Sequence, residues 1–209
     1  MKKQELALAL IERLEKEYPQ AICSLDYDEA WQLMVAVRLS AQCTDARVNI
    51  VTRELFEKYP TMEAIAGADL DELTEAVKPC GLGPSKARDI KKLMNELIDD
   101  YDKKIPDNMA ELIKLPGVGR KSANLILGDI YGQPAYVADT HCIRITGRMG
   151  LTDGTKDPKK VEDQLRKVLP PEKSNDFCHR MVLHGRAICT ARSPKCDICP
   201  CADVCRRKL

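Results

Sequence analysis

The sequence predicts an all-α protein, and three observations support this fold class. Apolar residues recur three or four positions apart through most of the chain, which is the spacing of a buried helix face. The strict alternation of apolar and polar residues that is typical of a half-buried strand is missing. Proline and glycine repeatedly interrupt the apolar pattern, so turns separate the helices. With 209 residues, the chain can form one large domain or two small ones with a substantial core.

The first two helices differ in character. Residues 3–17 have apolar residues on one face, and Pro19 ends this amphipathic helix. Residues 28–40 are apolar nearly all round, so we expect the second helix to be buried. A polar break follows, in which Thr44 or Asp45 is placed to cap the next helix. On its own, this break predicts only a turn between two helices.

Three further helices are expected at about residues 45–58, 69–77 and 85–101. Asp69 and Glu72 have the spacing of a capping box at the start of the second of these helices. Before the third, Leu82 stands between two glycines, where it has few apolar neighbours. Its side chain either packs inward or is displayed on the surface as a wedge.

Two glycines flank Val118 in a turn between a short helix and a longer one. Pro116 ends the incoming helix, because it has no N–H to donate and disfavours helical backbone at the preceding residue. Gly117 and Gly119 permit positive φ and expose backbone N–H groups at the start of the next helix, where an anion is best held. The turn therefore either binds a phosphate or simply connects two antiparallel helices.

The remaining helices follow Asp139. This residue precedes an apolar run of helical period, so its simplest role is that of an N-cap. Residues 151–158 form a loop, and two helices follow at about 158–169 and 175–190.

Composition and charge limit the classes of protein to which the chain can belong. Hydrophobic residues make up 44% of the chain and charged residues 31%, which is typical of a soluble globular protein. The N-terminus is too charged for a signal peptide, and no apolar run reaches the roughly 20 residues of a membrane span. We therefore expect a cytoplasmic protein with no membrane partner. Basic residues outnumber acidic ones after residue 110, which is compatible with a polyanionic partner.

Cysteines cluster at the C-terminal end of the chain. Four of them follow the pattern C-x6-C-x2-C-x5-C, at Cys189, Cys196, Cys199 and Cys205. Clustered thiols in a cytosolic protein are typical metal ligands, and four thiolates suit an iron–sulfur cluster or a structural zinc ion. Zinc sites usually pair two C-x2-C units, so the wider spacing here favours a 4Fe–4S cluster. Cys201 leaves the choice of ligands ambiguous.

Three features occur together in an order that resembles a known family. They are the glycine hairpin with Lys121 two residues after its second glycine, the segment Val137–His141, and the four cysteines. The chain resembles the endonuclease III family, which are DNA glycosylases and abasic-site lyases with a helix–hairpin–helix motif and a 4Fe–4S cluster. The resemblance implies a two-lobed all-α fold with DNA across the cleft. Residues 22–133 would form a six-helix barrel domain, and residues 1–21 and 134–209 would form an iron–sulfur cluster domain.

The resemblance also implies catalytic roles for two residues. Lys121 matches the catalytic lysine, whose neutral amine, partly desolvated beside Arg120, would attack C1′ of a damaged nucleoside, expel the base and form a Schiff base. Elimination from that intermediate would cut the strand 3′ to the lesion. Asp139 matches the essential aspartate, which would stabilise the charge that develops on the sugar. Without the resemblance, Lys121 is a solvated helix lysine and Asp139 is an N-cap.

The other roles that the resemblance implies concern binding. Gln42 would fill the space left by a flipped nucleotide and probe the opposite base, while Leu82 would wedge into the other strand. Backbone amides and basic side chains would contact the DNA, and His141 matches the family's Asp-Thr-His segment. The remaining candidates for DNA contact are Gly117, Gly119, Arg120, Arg192 and Lys195. The ligands of the cluster would be Cys189, Cys196, Cys199 and Cys205.

The sequence leaves three candidate functions to compare. The first is a bifunctional glycosylase and lyase that acts on oxidised pyrimidines in double-stranded DNA, or on abasic sites, as a nucleoid-associated monomer. The second is a monofunctional mismatch glycosylase, but such enzymes lack a lysine at the position of Lys121. The third is a non-catalytic DNA-binding or redox-sensing module, which has no need of both Lys121 and Asp139. A single-strand binder is disfavoured, because only 4% of the residues are aromatic.

Overall fold

The computed structural model describes residues 2–207, and every regular element in that range is helical, as the sequence predicts. Within residues 2–207, three short 3₁₀ turns accompany eleven α-helices. The helices are α1 (Lys3–Glu17), α2 (Ala30–Leu39), α3 (Asp45–Lys58), α4 (Met62–Gly67), α5 (Leu70–Val77), α6 (Gly83–Asp99), α7 (Met109–Leu112), α8 (Arg120–Asp129), α9 (Thr140–Met149), α10 (Pro158–Leu165) and α11 (Ser174–Ala187).

The chain divides into two compact units. One unit is Cys23–Tyr131, which contains α2 to α8, and the other combines the residues before Cys23 with those after Tyr131. Six helices of the first unit have six or more residues, and α7 is a single turn. In the second unit, α1 joins α9, α10 and α11, so the first helix of the chain packs with the last.

Helix α6 carries the main apolar face of the Cys23–Tyr131 unit. Helices α4 and α5 both pack against it, and α2 contacts α3, α6 and α8. The face of α6 is buried along its length, at Lys86, Ala87, Ile90, Leu93, Met94 and Leu97. Nearly every residue of α2 is buried as well, which confirms the expectation for that helix. Each helix is therefore held by its apolar side rather than by its ends.

Close contact between α9 and α11 organises the other unit. A Cβ atom added at Gly185 of α11 would lie 2.3 Å from Nδ1 of His141 and 2.9 Å from Cδ1 of Ile145. Any larger residue at position 185 would force these α9 side chains to shift, so glycine suits this approach of the α11 backbone to α9. Helix α1 packs on α11 and buries Leu6, Leu10 and Leu14 there.

The structure confirms most of the predicted helix starts. Thr44 accepts a hydrogen bond from the Arg47 N–H at 3.4 Å, and Asp69 accepts hydrogen bonds from the first turn of α5. The capping box predicted at Asp69 is only half formed, because the Glu72 carboxylate instead binds Lys58 at 2.9 Å. Helix α4 was not expected from the sequence, since six residues are too few to show a helical period.

No helix among residues 2–207 is both long and apolar enough to cross a membrane.

Candidate functional site

The glycine hairpin, residues 115–120, is built against a fixed arginine. Gly117 has φ +73°, and a Cβ atom there would lie 2.5 Å from Cδ of Arg38. Arg38 cannot easily move away, since its guanidinium binds the Asp89 carboxylate of α6 at 2.6 Å. Both the backbone conformation and the close approach therefore require glycine at position 117.

The second glycine of the hairpin has a different role. Gly119 has φ −93°, so it does not use the positive φ that glycine permits, and no atom would lie within 4 Å of an added Cβ. It is the N-cap of α8, and Arg120 and Lys121 follow as the first two residues of that helix. Lys121 is exposed rather than partly desolvated as expected. Its amine therefore lies on the first turn after the hairpin and is open to a ligand.

Gln42 and Leu82 both have left-handed backbone conformations. Their φ values are +57° and +54°, and both side chains are exposed, Leu82 to 55%. The left-handed conformation costs about 1–2 kcal/mol for a residue with a Cβ. Strain of this kind gathers at functional sites, where the surrounding structure must hold it in place. The open choice for Leu82 is thus resolved in favour of display rather than burial.

One buried ammonium joins the two loops that carry Gln42 and Leu82. We call these loops, residues 40–43 and 80–82, the wedge loops. Lys86 Nζ donates hydrogen bonds of 2.8 Å to the carbonyls of Leu39, Ala41 and Cys80. Burial, together with the neighbouring thiol of Cys43, raises the pKa of Cys80 to about 11. Two loops that are distant in the sequence are therefore tied together at their bases.

Asp139 begins α9 as its N-cap, with its carboxylate accepting the Cys142 N–H at 2.7 Å. The predicted cap is confirmed. His141 follows within the first turn of the helix, and its Nδ1 lies 3.2 Å from a guanidinium nitrogen of Arg144. That arginine also donates to the carbonyl of Cys189 at 3.0 Å. Helix α9 is thus tied to the first of the clustered cysteines. Lys121 and Asp139 belong to different units of the chain.

The four cysteines selected by spacing line a single cavity. Cys189, Cys196, Cys199 and Cys205 are each half-buried around about 330 Å³ of empty space, part of it open to solvent. Burial raises the pKa of Cys205, and the charges of the other three thiols add to that rise. Among residues 2–207, no three His, Cys, Asp or Glu side chains are already arranged as a metal-binding group.

Cys201 lies behind this cavity rather than in its lining. Its side chain is fully buried, and its thiol donates a hydrogen bond to Cys199. His184 Nε2 lies 3.6 Å from the same Cys199 sulfur. The hydrogen bonds from Cys201 and His184 lower the pKa of Cys199 well below its usual range and so favour its thiolate.

Arg148 of α9 braces the segment that contains the cysteines. Its guanidinium donates to the carbonyls of Thr190 at 2.7 Å and Ala191 at 2.8 Å, and it approaches Sγ of Cys189 at 3.6 Å. Arg192 and Lys195, both exposed, project from the braced segment. The structure thus displays both basic residues on the surface beside the cysteine cavity.

Sequence reasoning missed several residues that shape these sites. Arg38, Arg148 and His184 act through contacts with residues far away in the sequence, and no local pattern marks them. Lys86 carries a detectable signal, because it lies four residues before Ile90 on the apolar stripe of α6. A lysine in the middle of an apolar stripe indicates a buried ammonium with fixed partners.

Comparison with known proteins identifies the class of this chain. The family model described as "HhH-GPD superfamily base excision DNA repair protein" matches residues 35–171. The chain is therefore a helix–hairpin–helix protein of base excision DNA repair.

Closer relatives identify the family within that class. The endonuclease III of Synechocystis sp. is 42% identical over 97% of this chain and 93% of the relative. That of Bacillus subtilis is 40% identical over 94% of this chain and 90% of the relative. A solved endonuclease III in a trapped covalent intermediate with DNA matches with a TM-score of 0.92 and 41% identity, over 99% of this chain and 97% of that one. The chain belongs to the endonuclease III family, whose members are DNA glycosylases and abasic-site lyases.

The two hairpin glycines make a matched pair for a stability test. We expect Gly117→Ala to lower the free energy of unfolding by about 2–4 kcal/mol, from left-handed strain and the collision with Arg38. Gly119→Ala should cost no more than about 1 kcal/mol, because its backbone suits alanine. Urea unfolding of both variants measures the difference. Equal losses would show that the contact with Arg38 does not constrain the hairpin.

Two substitutions of Asp139 separate the stability that comes from its helix cap from the stability that comes from its charge. Asp139→Ala should lower the free energy of unfolding by about 1 kcal/mol, because the Cys142 N–H loses its acceptor. Asp139→Asn keeps an acceptor oxygen and should lose only a few tenths of that amount. Denaturant titration of the two variants checks this order, and a larger loss for the asparagine variant would contradict it.

Proposed function

We propose that this chain is a bifunctional DNA N-glycosylase and abasic-site lyase that removes oxidised or ring-damaged pyrimidines from double-stranded DNA. The observation that carries this proposal is the position of Lys121. Its exposed amine lies on the first turn of α8, directly after the hairpin, in a chain of the endonuclease III family. DNA is the partner, because two solved relatives at 41% identity are complexes with DNA.

The proposed reaction begins at the amine of Lys121. Only the neutral amine is a nucleophile, and we propose that bound DNA covers this exposed side chain. Attack on C1′ of the damaged nucleoside breaks the glycosidic bond, and the base leaves with its bonding electrons. Ring opening then gives a Schiff base between Lys121 and the sugar. Loss of a C2′ proton and expulsion of the 3′ phosphate cut the strand by β-elimination.

Two other groups have roles in this scheme. Asp139 stabilises the positive charge on the sugar as the base leaves and assists proton transfer. A carboxylate that caps α9 can serve this chemistry, because capping fixes its position and leaves its second oxygen available. The trapped covalent intermediate of an endonuclease III with DNA supports a covalent step in this family.

We propose that the remaining candidate residues bind the DNA. Gln42 and Leu82 enter the duplex where the damaged nucleotide leaves the stack. The amides of Gly117 and Gly119, with Arg120, contact a backbone phosphate at the start of α8. Arg192 and Lys195 add phosphate contacts from the segment of the clustered cysteines, and His141 is proposed to contact the lesion.

We also propose that Cys189, Cys196, Cys199 and Cys205 hold a 4Fe–4S cluster. These four thiols line one cavity, and they offer one thiolate for each of four irons. A bound cluster supplies a structural cross-link between distant parts of the segment. On this proposal, residues 1–21 and 134–209 form the cluster domain and residues 22–133 form the barrel domain. We further propose that the chain acts as a nucleoid-associated monomer.

Borohydride trapping tests the proposed lyase activity. A duplex with one thymine glycol should yield a covalent protein–DNA adduct with the wild-type chain, because borohydride reduces the Schiff base. Lys121→Ala should abolish the adduct. Asp139→Asn, which retains the helix cap, should lower the rate of adduct formation by at least about 100-fold. Denaturing gel electrophoresis measures the adduct.

An exposed lysine elsewhere serves as the control. Lys92→Ala on α6 removes a surface amine of the same type and should leave trapping unchanged. Failure of the wild-type chain to form an adduct, or an undiminished adduct in Lys121→Ala, would refute the assigned role of Lys121.

Metal content tests the proposed ligands. Cys196→Ala should lose most of the bound iron and acid-labile sulfide and the visible absorbance of the cluster. Cys201→Ala should retain all three, since Cys201 lies outside the cavity lining. Stoichiometric zinc in place of iron and sulfide in the purified chain would overturn the proposed cofactor.

A further inference from the structure

Lys86 is an unusual residue for the apolar face of a helix. Lys86 is 0% exposed. It lies next to Ala87 on the buried face of α6, where it contacts the wedge loops. Burial lowers the pKa of Lys86, which is the expected cost of removing an ammonium from water. An apolar side chain of similar length would fill the same space without that cost, so apolar packing alone does not account for a lysine here.

The partners of Lys86 account for it. Its ammonium has three N–H donors, and each reaches a backbone carbonyl at 2.8 Å. Two of these carbonyls, at Leu39 and Ala41, bracket the start of one wedge loop. The third, at Cys80, begins the other wedge loop. Charge-assisted hydrogen bonds are stronger than neutral ones, so this single group holds both loop bases firmly.

Each loop carries a residue that needs such a support. Gln42 follows Ala41 directly, and Leu82 lies two residues after Cys80. Both residues hold the left-handed backbone without being glycine. A loop free to relax would leave that conformation, and its side chain would no longer be presented in a fixed direction.

We propose that Lys86 is a positioning residue that locks the two wedge loops together, so that Gln42 and Leu82 enter the DNA duplex as one rigid pair. This inference rests on the proposed function, in which both residues enter the duplex. Extruding a paired nucleotide breaks its stacking and its base pair, a cost that opposes binding. Preorganised side chains offset that cost better than mobile ones, because their ordering does not oppose binding.

The hydrogen bonds of Lys86 to the wedge loops should therefore affect extrusion of the nucleotide but not the chemistry at Lys121. A thymine glycol in a duplex must be extruded before it reacts. An abasic site in a single strand has no base to extrude and no opposite strand to separate. Loss of the Lys86 hydrogen bonds should slow the reaction of the thymine glycol duplex and leave the reaction of the single-stranded abasic site nearly unchanged.

The test compares Lys86→Met with a matched control. Lys86→Met keeps most of the length of the side chain and removes all three donors. Lys91→Met changes another lysine of α6 that donates to a backbone carbonyl, that of Ala68, away from the wedge loops. Each variant is assayed by borohydride trapping on a duplex with thymine glycol and on a single-stranded oligonucleotide with an abasic site.

We expect Lys86→Met to slow the duplex reaction by about 10–100-fold and to change the single-strand reaction by less than about 3-fold. Lys91→Met should change neither rate. Fluorescence of 2-aminopurine placed beside the lesion should show a matching loss of extrusion in Lys86→Met. Equal losses on both substrates would overturn the inference, because they indicate general damage to the fold.

A mutant cycle separates positioning from a merely structural role. In a chain with Gln42→Ala and Leu82→Ala, no wedge remains to be positioned, so Lys86→Met should cause no further duplex-selective loss. A further loss of 10-fold or more in that background would overturn the inference. If Lys86→Met does not fold, as judged by circular dichroism, Lys86→Gln takes its place. It keeps two donors and should give an intermediate duplex-selective loss.

The results also distinguish this inference from the function on which it rests. No adduct on either substrate with the wild-type chain would refute the proposed lyase. Normal trapping by the wild-type chain, with no duplex-selective loss in Lys86→Met, would refute only the positioning role of Lys86.

Discussion

The three hydrogen bonds of the Lys86 ammonium are the interaction on which both wedge loops of the Cys23–Tyr131 unit depend. They join the end of α2 and the two wedge loops to the apolar face of α6. One turn further along α6, Asp89 holds Arg38, and Arg38 in turn defines the space into which Gly117 fits. A single helix thus supports both the wedge loops and, through Arg38, the hairpin. Polar side chains can do this from within an apolar face only because every donor finds an acceptor.

Arginines of α9 play the corresponding part in the other unit. The segment that carries the clustered cysteines has little regular structure, so many of its carbonyls lack helical partners. Arg144 and Arg148 supply donors to the carbonyls of Cys189, Thr190 and Ala191. The same helix begins with Asp139. Its position is therefore coupled, through α9, to the segment that displays Arg192 and Lys195.

Patterns within a few residues predicted local structure well. The apolar stripes located ten of the eleven helices of residues 2–207. The cap at Asp139 was predicted, and Thr44 was one of the two candidates for the cap of α3. The failures have physical causes. Helix α4 is too short to show a helical period. The capping box at Asp69 is incomplete because the Glu72 carboxylate binds Lys58 instead of the backbone of its own helix. Of the two glycines that permit positive φ, only Gly117 uses it, because Gly119 is an N-cap and adopts extended backbone.

By itself, the sequence determined the all-α fold, the hairpin, the family and the cysteines that could bind a cluster. Each of these depends on residues that are near one another in the chain or on a resemblance that covers nearly all of it. Only the tertiary structure decided that Cys201 packs behind the cysteine cavity, that Leu82 is displayed, and that Gln42 and Leu82 are tied to one buried ammonium. Those outcomes depend on contacts between residues far apart in the chain. Helical period and local spacing carry no information about which distant carbonyls a buried lysine will meet.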